Sequence, residues 1–130
     1  MQNRLTILFA DPQAEWHRQA AAMLESHGCR TVQARTGREA LSQIEAGDIH
    51  VAVLDQNMPQ LSGLQVVKLT RDFKTPPPAI LVSKDLTNHF MQEALGMKVF
   101  SVLAKPCEAN LLLATVARVV QRYYQGRWPV

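Results

Sequence analysis

Short apolar runs recur along the chain, and each is followed by a stretch in which apolar residues return every three or four positions. The five segments cover residues 4–10, 29–34, 49–54, 79–82 and 99–103, and the second of them alternates apolar and polar residues as a half-exposed edge strand does. Runs of this length are typical of β-strands, whereas the longer spacing marks one buried face of an α-helix. The pattern therefore predicts five strands that alternate with five helices.

The stretches between the runs carry helix-end signals. Pro12 suits the first turn of a helix, and Gly28 suits its left-handed end. Thr36 with Glu39 predicts a capping box at the second helix. The helices are predicted over 12–27, 36–47, 62–75, 87–95 and 108–124. Their predicted inward-facing residues are Trp16, Ala20, Met23, Leu24, Ala40, Leu41, Ile44, Leu64, Val66, Val67, Leu69, Phe73, Phe90, Ala94, Leu112, Val116, Val119, Val120 and Tyr123.

This alternation predicts the fold class. Continuously apolar strands that alternate with helices favour a parallel sheet covered on both faces, a doubly wound α/β sandwich of three layers. A chain of 130 residues with 47% hydrophobic and 19% charged residues suits one ordinary globular domain. We expect the domain to occupy residues 1–124 and a short C-terminal tail to occupy 125–130.

Composition argues against several classes of protein. No apolar run approaches the roughly 20 residues of a membrane span, and the N-terminus lacks a signal-peptide pattern, so a cytoplasmic protein is expected. Cys29 and Cys107 are too few for a disulfide framework or a zinc site and are expected to be free, partly buried thiols. The four histidines show no metal-ligand spacing and are expected at the surface or at helix ends: His17, His27, His50 and His89.

The net charge of +3 does not indicate direct nucleic-acid binding. Basic residues are scattered along the sequence, and Arg118, Arg122 and Arg127 form the one dense group. No Lys/Arg run with interleaved aromatic residues accompanies them. A nucleic-acid partner is therefore disfavoured.

Polar side chains stand at the ends of four predicted strands. Asp11 follows the first, Asp55 the third, Ser83 the fourth and Lys105 the fifth. Singly, each has a simpler explanation as a helix cap, a turn residue, a loop hydrogen-bonding group or a solvated charge. Because parallel strands end at one edge of the sheet, however, two carboxylates, a hydroxyl and an ammonium group should converge there.

Such a set of groups suits a divalent cation together with a phosphoryl group. Mg²⁺ prefers carboxylate and carbonyl oxygens, and lysine pairs with phosphate oxygens as a point charge. A carboxylate can also act as a nucleophile and form an acyl phosphate. Nearby positive charge is most of what phosphoryl transfer requires of a protein.

Two other functions of similar folds are disfavoured. A nucleotide or flavin site would need a phosphate-binding loop, but the sequence after the first strand, Asp11-Pro12-Gln13, has no glycine. A phosphatase of the haloacid dehalogenase type would need a second aspartate two residues after the nucleophile, where this chain has Asn57.

Three motifs carry a resemblance to a known family. They are Asp55-Gln-Asn-Met-Pro59 with Gly63 four residues on, a fourth strand that ends in Ser83, and the pair Lys105-Pro106. From Leu5 to about Tyr123 the chain resembles the stand-alone, CheY-like receiver domains of two-component response regulators. The resemblance implies a flavodoxin-like (βα)5 fold with strand order 2-1-3-4-5, and often a cis peptide bond before the proline.

The resemblance also implies a function. Asp55 would accept a phosphoryl group from a histidine kinase or phosphotransfer protein, while Ser83 and Lys105 contact the phosphoryl oxygens. Mg²⁺ would be held by Asp11, Asp55 and the backbone carbonyl of Asn57. The implied chemistry is limited to self-phosphorylation and slow autodephosphorylation.

In the family the output surface is the last strand and its two flanking helices. With no effector domain in the sequence, signalling by contact with a downstream protein is expected, and a homodimer is compatible with this. Membrane and nucleic-acid partners are not expected. The exposed candidates on this surface are Lys84, His89, Lys98 and Asn110.

The chain departs from the family at several positions. Pro12 stands where receivers usually have a second acid, which leaves Glu15 as the nearest substitute metal ligand. Lys84 replaces a small residue, and Val102 replaces the aromatic switch residue of the fifth strand. These departures keep open an alternative function, a pseudo-receiver that binds proteins independently of phosphorylation.

Overall fold

The computed structural model describes residues 4–125 and confirms the alternation of five strands and five helices. The strands are β1 (Thr6–Ala10), β2 (Arg30–Ala34), β3 (Val51–Asp55), β4 (Ala79–Ser83) and β5 (Ser101–Ala104). The helices are α1 (Arg18–Ser26), α2 (Gly37–Ala46), α3 (Gly63–Thr70), α4 (Asn88–Gly96) and α5 (Ala109–Tyr123). The tail beyond residue 125 lies outside the described residues, so the domain boundary at 124 stays a prediction.

All five strands pair in parallel in the order β2-β1-β3-β4-β5, as predicted. Strand β2 lies at one edge and is partly exposed, which explains its alternating sequence. Every residue of β1, β3 and β4 is buried, as expected for central strands that are covered on both faces.

Alternate side chains of the strands enter two separate hydrophobic cores. Phe9 and Val53 pack with α1 and α5 on one face of the sheet, whereas Leu8 and Leu54 pack with α2, α3 and α4 on the other. The predicted three-layer arrangement is therefore confirmed. Within the described part of the chain, none of the helices combines the length and the apolar character that a membrane span requires.

The helix caps differ in part from the prediction. The Thr36 hydroxyl accepts a hydrogen bond from the Glu39 backbone N–H at 3.1 Å, but the Glu39 carboxylate accepts from Arg35 rather than from Thr36. The complete capping box lies at α3 instead, where Ser62 and Gln65 each accept from the other's backbone N–H, at 3.1 and 2.8 Å. This box fixes the start of α3 just after the loop that follows Asp55.

Two predicted core residues are exposed. Leu69 is 47% exposed because Thr70 takes the next buried position of α3 and bonds its hydroxyl to the Val67 carbonyl at 2.9 Å. Tyr123 is 50% exposed, and the neighbouring Tyr124 turns inward instead. Both predictions were wrong, because the apolar pattern favoured Leu69 over the polar Thr70 and did not distinguish Tyr123 from Tyr124.

The loop after β3 is seated against the start of α2. A Cβ added at Gly37 would lie 2.3 Å from the Leu61 carbonyl oxygen and 2.5 Å from the Leu61 Cβ. Such a contact with backbone cannot be relieved by moving a flexible side chain. The absence of a side chain at Gly37 therefore allows the loop that carries Asn57 to approach α2 closely.

We expect Gly37→Ala to lower the free energy of unfolding by about 1–3 kcal/mol, the usual cost of overpacking. Gly96→Ala is the matched control, because a Cβ at Gly96 meets nothing within 4 Å and alanine favours a helix over glycine by up to about 1 kcal/mol. Urea titrations of the two variants check this. Equal stability of the two proteins would contradict the close seating of the loop.

Candidate functional site

The register of the sheet brings Asp11 and Asp55 to the same level. Ala10 pairs with Leu54 across β1 and β3, so the aspartate that follows each of them stands at the same edge. The register between β3 and β4 pairs Asp55 with Val82, which places Ser83 one residue further along. The alternation of strands and helices predicted only that these residues share one edge of the sheet. The register shows in addition how far along that edge each residue lies.

An open cleft of about 250 Å³ lies at this edge. Its lining residues are Asp11, Pro12, Gln13, Asp55, Asn57, Lys84 and Lys105. Four residues proposed from the sequence for metal or phosphoryl binding therefore lie around one cavity. Ser83 is buried beside this cleft without lining it, and Glu15 is exposed and also outside the lining.

Lys105 joins the two carboxylates. Its Nζ lies 2.9 Å from Asp11 Oδ2 and 3.6 Å from Asp55 Oδ2, with only 8% of the side chain exposed. The Lys105 backbone N–H donates to the Ser83 carbonyl at 2.9 Å, which continues the sheet beyond β5. The Lys105–Pro106 peptide bond is cis, as the resemblance implied.

Asp11 is bonded at both oxygens. Its Oδ1 accepts from the Gln13 backbone N–H at 2.7 Å, and its Oδ2 accepts from both Lys105 and the Trp16 indole Nε1–H. Trp16 lies in a short 3₁₀ turn, Ala14–His17, that precedes α1. Sequence reasoning had assigned Trp16 to the core stripe alone and missed this contact.

Asp55 is the poorly satisfied member of the pair. It is 3% exposed, and its Oδ1 has no hydrogen-bond partner among the described residues. Burial raises the pKa of the Asp55 carboxyl, and the negative charge of Asp11 adds to this, while Lys105 and the Asn57 backbone act in the opposite direction. The free oxygen is therefore suited to a positively charged or electrophilic ligand.

Ser83 bonds its hydroxyl within its own loop. Ser83 Oγ donates to the Asp85 carbonyl at 3.1 Å and accepts from the Asp85 backbone N–H at 3.2 Å. Contact with a group on Asp55 would require this hydroxyl to leave its own loop. The role of Ser83 at a phosphoryl group stays a prediction.

The donor set suits Mg²⁺ as a ligand of modest affinity. Mg²⁺ is usually held by one or two carboxylates and keeps several waters. Asp55 Oδ1 is buried and unpartnered, and Asp11 and Asn57 line the same cleft. Among residues 4–125 no group of three or more His, Cys, Asp or Glu side chains is placed to hold a metal, so no third carboxylate compensates for Pro12.

Several residues outside the cleft bear on other sequence predictions. His17 is 1% exposed and stacks on Phe9 with ring centroids 4.6 Å apart, and it lies at a helix end, as the N-cap residue of α1, which the prediction allowed. Burial lowers the pKa of this histidine, mainly because the charged form is desolvated. Both cysteines are free, and burial raises the pKa of Cys29 to about 11. The proposed partner-facing residues Lys84, His89, Lys98 and Asn110 are all exposed.

Comparison with known proteins supports a specific relationship. Residues 7–117 match the family model described as the response regulator receiver domain. The chain is 28% identical over 120 residues to the response regulator RR06 of Streptococcus pneumoniae, covering 92% of this chain and 55% of that protein. It spans about half or less of the length of the first curated relatives that it matches.

Solved structures agree with the fold. The receiver domain of the Francisella response regulator 1452 is 27% identical, with a TM-score of 0.82, and covers 92% of this chain and 98% of its own. The signal receiver domain of a putative LuxO repressor protein from Vibrio parahaemolyticus has a TM-score of 0.84 at 20% identity, covering 92% of each chain. At that identity the second match shows the fold alone.

We expect Asp55→Asn to stabilise the folded chain at pH 7 by about 1–3 kcal/mol, since it replaces a buried carboxylate, which repels Asp11 and has one oxygen without a partner among the described residues, with a neutral group of similar shape. Because the pKa of Asp55 is raised in the folded state, ionisation of Asp55 lowers the free energy of unfolding of the wild type as the pH rises. The stability advantage of the variant should therefore shrink as the pH falls through the native pKa.

Urea titrations between pH 4 and pH 8 measure this difference. The matched control is Asp72→Asn, an exposed aspartate outside the cleft that should leave stability within about 0.5 kcal/mol of wild type. An Asp55→Asn protein that is less stable than wild type at pH 7 would contradict the electrostatic description of the cleft.

Proposed function

Because this chain belongs to the response regulator receiver domain family, we propose that it takes a phosphoryl group onto Asp55 in two-component signalling. The donor would be the phosphohistidine of a histidine kinase or of a phosphotransfer protein. We place the protein in the cytoplasm, where these donors act.

The observation that carries the proposal is the state of Asp55. Its Oδ1 is buried, has no hydrogen-bond partner among the described residues and belongs to a residue that lines the open cleft. Lys105 Nζ stands 3.6 Å from the other oxygen. A nucleophilic oxygen and a positive charge are thus already held together without a competing bond to the nucleophile.

The chemistry balances as a simple transfer. An oxygen of Asp55 would form a bond to phosphorus while the phosphorus–nitrogen bond of phosphohistidine breaks, and the leaving imidazole recovers a proton from water. Lys105, which shares its charge between Asp11 and Asp55, would turn toward the new phosphoryl oxygens. Ser83 could donate to the same group after its hydroxyl leaves Asp85.

The chain would use Mg²⁺ for this reaction. When bound, the cation would supply positive charge next to the transferring phosphoryl group. Asp11, Asp55 and the backbone carbonyl of Asn57 are the groups that would hold it. Because affinity for hard cations follows the number of charged ligands, Pro12 in place of a second acid should make this binding weak.

The output would be a protein contact through β5, α4 and α5. Lys84, His89, Lys98 and Asn110 are exposed as this requires. Val102 in β5 is half-buried and carries no aromatic ring, so coupling between Asp55 and this surface would have to use another group. A homodimer through the same surface is compatible with this proposal.

We expect acetyl phosphate with excess Mg²⁺ to add one phosphoryl group to the intact protein. Mass spectrometry of the wild type should show the added group, and peptide mapping should place it on Asp55. The matched variant Asp55→Asn should show none. A wild-type protein that stays unmodified at high Mg²⁺ would exclude the phosphoacceptor function.

A second candidate, the pseudo-receiver, is favoured by one observation. Both oxygens of Asp11 are already bonded within the protein, by Gln13, Lys105 and Trp16. With these bonds in place, Asp11 would not coordinate a cation. The chain would then act as a phosphorylation-independent binding module. Absence of labelling in the experiment above is the outcome that would favour this function.

We expect Asp11→Asn to weaken Mg²⁺ binding by at least about tenfold, because it removes one of two carboxylates from the proposed site. Isothermal titration calorimetry with MgCl₂ measures the change. Asp72→Asn removes the same charge from an exposed position outside the cleft and serves as the matched control. Equal affinity in all three proteins would remove Asp11 from the metal site.

A further inference from the structure

We propose that the Trp16 indole competes with a divalent cation for Asp11, so that the Trp16 hydrogen bond to Asp11 Oδ2 weakens cation binding in the cleft. This inference rests on the proposed cation site and names the residue that limits it. The observation behind it is the Trp16 Nε1–H to Asp11 Oδ2 hydrogen bond beside the Lys105 ion pair.

The lone pairs of Asp11 show why the contact matters. Each carboxylate oxygen has about two acceptor sites. Asp11 Oδ2 accepts from both Trp16 and Lys105, and Oδ1 accepts from the Gln13 backbone N–H. Three of about four acceptor sites are therefore in use. Direct coordination through Oδ2 would have to displace either the indole or the ammonium group.

Of the two donors to Asp11 Oδ2, the proposed phosphorylation would move Lys105 but not the Trp16 indole. Lys105 would turn toward a phosphoryl group on Asp55 and would in that case release Asp11. Trp16 has no such second partner, because an indole offers a single N–H donor. Cation binding at Asp11 Oδ2 would therefore compete with this bond, and phosphorylation of Asp55 would offer the indole no replacement.

The surroundings hold the ring at this place. Trp16 is half-buried, packs against the core beneath α1 and α5 and meets the His17 ring edge-on with centroids 5.4 Å apart. Lys105 Nζ lies 5.4 Å from the Trp16 ring centroid, within range of a cation–π contact. The same ring thus contacts both members of the Asp11–Lys105 pair.

The Trp16 contact accompanies the departure at Pro12. Where the family usually supplies a second carboxylate, this chain has a proline that brings no acceptor, so Asp11 meets the Trp16 donor without a competing neighbour. The 3₁₀ turn Ala14–His17 then carries the indole over Asp11. Pro12 removes a carboxylate ligand and Trp16 adds a hydrogen-bond donor to Asp11, and both features disfavour cation binding in the cleft.

The first test is Mg²⁺ titration of Trp16→Phe by calorimetry, compared with wild type. Phenylalanine keeps an aromatic ring for packing and for the Lys105 contact but has no N–H donor. A hydrogen bond to a charged acceptor is strong enough that its loss should tighten Mg²⁺ binding by about tenfold or more. Tyr123→Phe removes a side-chain donor from an exposed position outside the cleft and should leave the affinity unchanged.

Unchanged or weaker Mg²⁺ affinity in Trp16→Phe would overturn the proposal. Failure of both wild type and Trp16→Phe to bind Mg²⁺ would also overturn it, because Trp16 would then not be the group that excludes the cation. Far-ultraviolet circular dichroism checks that the variant is folded.

The second test does not alter Trp16. In the Trp128→Phe protein Trp16 is the one remaining tryptophan, so its fluorescence reports the indole directly. Emission should change during a MgCl₂ titration with a midpoint equal to the calorimetric dissociation constant. Mg²⁺ binding that leaves the emission unchanged would show that the indole stays on Asp11 and would refute the competition.

These results are separable from the proposed phosphoacceptor function. Labelling of Asp55 by acetyl phosphate reports the acceptor, whereas the two titrations report the cation and the indole. Tight Mg²⁺ binding by Trp16→Phe without any labelling would support the competition and exclude the phosphoacceptor role. Labelling with no effect of Trp16→Phe on Mg²⁺ affinity would do the reverse.

Discussion

Two buried carboxylates, Asp11 and Asp55, share the ammonium group of Lys105 at 2.9 and 3.6 Å, and the cleft is organised around this imbalance of charge. The parallel sheet enforces the imbalance, because the register of β1 and β3 sets both aspartates at one level of one edge. Asp11 receives three hydrogen bonds and Asp55 Oδ1 receives none. The unsatisfied charge is therefore concentrated on one buried oxygen, which belongs to a residue that lines the cleft.

An uncompensated charge in a protein interior costs stability, so the surrounding structure has to over-determine its position. The buried strands β1, β3 and β4 do this, together with the loop seated on Gly37 and the capping box at Ser62. These elements lie far apart in sequence but fix one short segment, the loop that leaves Asp55. Stability elsewhere in the domain thus maintains a locally unfavourable site, as is common where a protein binds or reacts.

The sequence predicted the architecture well because the sheet depends on features that are visible residue by residue. Apolar runs, helix caps and the βα alternation each indicated the same fold, and the edge that gathers Asp11, Asp55 and Lys105 followed from it. The errors arose where one turn of backbone decides between neighbours, as at Leu69 and Tyr123, which the structure exposes. Trp16 was assigned correctly to the protein interior, but its indole N–H could be placed on Asp11 only once the 3₁₀ turn was known.

The replacement of a second acid by Pro12 changes which groups neutralise the Asp11 carboxylate. With an acidic neighbour, repulsion between two carboxylates would favour a cation whenever one is present. In this chain Asp11 instead meets Trp16, Lys105 and the Gln13 backbone, and these donors already neutralise and solvate it. Asp55, rather than Asp11, is therefore the carboxylate that lacks neutralising charge, and its pKa is raised by burial and by Asp11 itself. The cation would be recruited by the acceptor residue, and the strength of the Trp16 contact would set how much cation the reaction needs.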